Sequence, residues 1–150
     1  MKQSSFFVKI CELEEDYEMV QHCLHICDSW DRTDLERALQ EIKQVYDQER
    51  LRLEENIQDA RSPAVLKLAQ AQSTYNLTIQ HLMEESLPKD LHSDFSTPQE
   101  DQTEAMMLYA EYAIDFARQS LRHALIASLS AMDMQQSPDP SKNKQEDARL

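Results

Sequence analysis

No glycine occurs among the 150 residues. Glycine is the usual residue for positive φ, for two-residue hairpin turns and for close backbone approach to a phosphate. Its absence argues against a β-rich fold, and it removes the P-loop, the dinucleotide fingerprint and the kinase glycine loop. Positive charge is also scarce, with 15 Lys and Arg against 28 Asp and Glu and a formal net charge of -13. That balance disfavours phosphate backbones and anionic membranes as direct partners. The basic residues are scattered, and none of their groupings is denser than Arg50 with Arg52 or Arg118 with Arg122.

Long apolar runs are missing too. Nothing approaches the ~20 residues of a membrane span, and MKQSSFFVKICELEED turns acidic too early for a signal peptide. Three cysteines without framework spacing fit a reducing compartment, so a cytoplasmic location is expected.

What is present is helical periodicity, and it predicts an all-α, single-domain antiparallel bundle of about four helices over residues 1–135. The first helix, about 5–28, carries Phe6, Ile10, Leu13, Tyr17, Val20, Leu24 and Cys27 at alternating gaps of four and three. The second, about 32–60, starts at Asp31 as N-cap or through a Thr33 and Glu36 capping box. Its stripe is Leu35, Leu39, Ile42, Tyr46, Leu53, Ile57 and Ala60, broken by Glu49.

Ser62-Pro63 restarts the chain into a third helix, about 63–86, whose expected buried row is Val65, Leu68, Tyr75, Ile79 and Leu82. LPKDLHSDFS, residues 87–96, reads as a long loop because it contains Pro88 and no helical period. Thr97-Pro98-Gln99-Glu100 is a capping box that opens a fourth helix, about 98–134. The polar tail 136–150 is expected to be disordered.

The fourth helix is long and Ala-rich, and it is expected to be the central one. Ala110, Ala113, Ala117, Ser120, Ala124, Ala127 and Ala131 recur at gaps of three and four along one seam. Glu104, Glu111, Asp115, Arg118, Arg122 and Asp133 form a narrow polar stripe opposite. Tyr109, Tyr112, Phe116 and His123 flank the seam on one side, and Met107, Ile114, Leu121, Leu125 and Met132 on the other. Small residues let a partner backbone come to the ~8 Å end of the helix-helix range. The seam is thus a candidate close-packing surface, either against the third helix, which offers Ala64, Ala71, Thr74 and Thr78, or against the same helix of a second copy.

The search for chemistry is less productive. No histidine has an acidic residue three positions before it, so the di-iron bundle motif is absent. Glu18, His22 and His25 lie on an outward face of the first helix, and His123 reads as a buried, hydrogen-bonded core histidine. Cys11, Cys23 and Cys27 fall inside a helix, whose ladder consumes the N–H groups an oxyanion hole needs. The expectation is no catalytic, cofactor or metal residue. The function expected is a non-enzymatic helical module that binds a protein partner, itself included. Two alternatives stand beside it: an acidic decoy for a basic cleft, drawing on Glu12 to Glu18 and Glu84 to Glu104, and a bundle that binds a metal or small ligand.

Overall fold

In the computed structural model, residues 5–59 and 62–137 are described, and the protein is all-α. Helix α1 spans Ser5–Ile26 and runs into a 3-10 turn at Cys27–Ser29. Helix α2 spans Arg32–Gln58 and α3 Pro63–His81, followed by a five-residue π segment, Leu82–Ser86. Short α4, Leu87–Leu91, and long α5, Pro98–Gln136, complete the described chain. None of the helices is long and apolar enough to cross a membrane, among the described residues. Of the polar tail expected over 136–150, Gln136 is the last residue of α5, and residues 138–150 lie outside the described residues.

The helix starts follow from local capping chemistry. At α2 the Asp34 N–H donates to Asp31 Oδ1 at 2.9 Å and the Asp31 N–H to Asp34 Oδ2 at 3.4 Å, a reciprocal box built on two aspartates. At α5 the Glu100 N–H donates to Thr97 Oγ1 at 3.2 Å, and the Thr97 N–H to Glu100 Oε2 at 2.8 Å. Pro98 occupies the first helical position, where its missing N–H costs nothing.

Residues 87–96 differ from the loop expected there. The helical path continues past His81 to Leu91, and the irregular stretch is only 92–97. Proline inside a helix removes one hydrogen bond and collides with the carbonyl four residues back. Here the preceding turn is widened, so that the Leu87 N–H reaches Leu82 O, five residues back. Pro88 then stands in the first turn of α4. A π turn of this kind lets a chain pass a proline without ending the helix.

Contacts divide the chain into two units, residues 1–101 and 102–150. In the first, α2 and α3 pack together, and their short connection makes them an antiparallel hairpin. The inward row of α3 is displaced by one position over its first turns, while Ile79 and Leu82 at its end are half-buried as expected. Val65, Leu68 and Tyr75 are exposed, whereas Leu66, Ser73, Asn76 and Ile79 are half-buried and Ala69 and Met83 are buried. One residue is 100° of helix, and a small residue such as Ala69 suits the approach of a neighbouring helix better than a bulky one. On α2 the half-buried apolar residues nearest that connection are Leu53 and Ile57, while Leu35, Leu39, Ile42 and Tyr46 are exposed. The second unit is α5 beyond Asp101, part of a 39-residue helix about 58 Å long at 1.5 Å per residue.

Candidate interaction surface

Along α5 the seam residues are not covered alike. Ala113 and Ala131 are half-buried, whereas Ala110, Ala117, Ser120, Ala124 and Ala127 are exposed. The aliphatic flank behaves the same way, with Met107, Ile114, Leu121, Leu125 and Met132 between 45 and 64% exposed. On the aromatic flank Tyr112 and Phe116 are exposed, and so is His123. Among the described residues His123 is thus exposed, and not the buried core histidine expected.

The residue of α5 that is completely buried is Ala105, which lies off the seam. It belongs to a row with Asp101, Tyr109 and Ala113, each four residues from the next, that grows more exposed toward the C-terminus. Nothing in the size of Ala105 announces it, because an alanine contributes little to an apolar stripe. The spacing of four from Asp101 to Tyr109 was the available signal.

Asp101 itself is a functional-looking residue that the sequence did not single out. It is 4% exposed, and its Oδ2 lies 2.6 Å from Nδ1 of His92, across the irregular stretch before α5. An ionised Asp101 places the shared hydrogen on Nδ1, which then donates. The Ser96 hydroxyl, principally, and the bond to and charge of His92 hold the Asp101 carboxyl below its ordinary value, against the opposing effect of desolvation. Ser96 is fixed in turn, since its Oγ accepts the Ser93 N–H at 2.9 Å. The second carboxylate oxygen, Oδ1, is buried without a hydrogen-bond partner. This cluster ties 92–97 to the first turn of α5 and holds it in place. At the loop, Phe95 is 98% exposed.

Exposed apolar stripes also run along the first two helices. On α1 the side chains from Phe6 through Ile10, Leu13, Tyr17 and Val20 to Leu24 are 41 to 63% exposed. On α2 Leu35, Leu39, Ile42 and Tyr46 are 47 to 52% exposed. His22 and His25 are exposed and Cys11, Cys23 and Cys27 half-buried. Among the described residues no three His, Cys, Asp or Glu side chains converge to hold a metal ion.

Comparison with protein-family models, with curated proteins and with solved structures finds no match. Half-exposed aliphatic and aromatic side chains at helical spacing offer area for another helix, and the seam on α5 offers a close approach for a backbone.

Proposed function

We propose that this chain is a non-enzymatic helical interaction module of the cytoplasm, which binds a protein partner, itself included, through helix faces that it leaves open. The observation that carries this reading is the α5 flank Met107, Ile114, Leu121, Leu125 and Met132, large apolar residues at 45 to 64% exposure that border a row of Ala and Ser exposed from Ala117 to Ala127. Soluble chains scatter such residues singly, and a contiguous stripe marks an interaction surface. Covering the remaining half of each aliphatic side chain is worth about 1 kcal/mol. Five of them supply a useful share of the ~8 kcal/mol that a micromolar complex requires. The net charge of -13 argues against nucleic acid and anionic membrane as the surface engaged.

Small residues set how near a partner helix can come, so Ala117→Leu and Ala124→Leu test the reading. Light scattering on the purified chain gives the assembly mass, and circular dichroism checks the helix content. The expected result is an unchanged helix content with a reduced mass, or with a weakened complex where the partner is another protein. Full retention of both mass and partner binding by both variants counts against α5 as the binding face.

A further inference from the structure

We draw no further inference here: the strongest candidate, the surface patch at exposed Phe95 on the turn that His92, Ser96 and Asp101 hold before α5, rests on hydrogen bonds within the cluster already described, and nothing in the structure shows what covers it.

Discussion

From Leu82 to Asp101 the chain is held by particular partners, whereas α1, a helix of similar length, has an apolar stripe and, among the described residues, no such anchors. The first stretch contains a widened turn that accommodates Pro88, a buried Met83, and the His92, Ser96 and Asp101 cluster against the Thr97 capping box. The second has a more regular apolar period, yet its stripe is about half exposed throughout. Burial in this protein thus follows polar anchoring and small residues more closely than it follows hydrophobic periodicity. A regular stripe says that a helix wants a partner, while capping boxes and buried carboxylates say where the chain itself provides one.

The sharpest way to break that contrast is to truncate on either side of it. Met83→Ala should cost about 2–5 kcal/mol, the range for emptying a core site, because Met83 is 7% exposed. Leu68→Ala, at 74% exposure on α3, should stay within about 0.5 kcal/mol. Urea denaturation followed by circular dichroism measures both. Equal losses would remove the distinction between the buried π segment and the exposed face of α3.

Next in size is overpacking. Ala105 is fully buried, so Ala105→Leu should destabilise by about 1–3 kcal/mol. The same exchange at exposed Ala124 should leave the unfolding midpoint of a dilute, unassociated sample unchanged. The pair separates an alanine that is buried in the fold from one that is exposed.

Acid should act on the anchored stretch specifically. The folded Asp101 carboxyl lies below its ordinary value of 3.8, so the unfolded chain binds the proton more readily. Its stabilising contribution is therefore full above that ordinary value and is lost as pH falls through the lower folded one. Asp101→Asn should lower stability at neutral pH and flatten this part of the acid limb. An acid limb that keeps its full depth in Asp101→Asn would assign it to other carboxylates.

How much of this could be read beforehand differs from place to place for physical reasons. The starts of α2 and α5 were legible because capping is local, written within four residues at Asp31 to Asp34 and Thr97 to Glu100. Pro88 misled because proline reports only what a regular α turn cannot do, and a π turn is another solution. The inward row of α3 is legible at Ile79 and Leu82 but not at its start, where bulk points to Val65 and Leu68 and it is the small Ala69 that is buried. Asp101 was passed over because an acidic residue in the first turns of a helix is ordinary; its pairing with His92 depends on how 92–97 folds back. The Ala and Ser seam of α5 was visible as a packing surface, but sequence spacing carries no information on what covers it.

A smaller effect sharpens the comparison at the caps. Thr97 closes its box with two backbone-to-side-chain bonds, of 2.8 and 3.2 Å, and stands beside the Asp101 cluster. Arg32 pairs with Glu36 at 2.9 Å on α2, yet its side chain is 92% exposed. Distance alone would rank them together. The cap satisfies helix N–H groups that have no partner inside the helix, so Thr97→Ala should cost about 1 kcal/mol. The exposed pair exchanges one hydrated state for another and restrains two long side chains, so Arg32→Ala should cost about 0.3–0.5 kcal/mol, less in salt. Denaturation at low and at high salt reads both: the Thr97→Ala loss should persist at high salt, and the Arg32→Ala loss should vanish there. A salt-resistant loss at Arg32 would mean that α2 is anchored at its start as firmly as α5, and that the openness of the first two helices begins only beyond it.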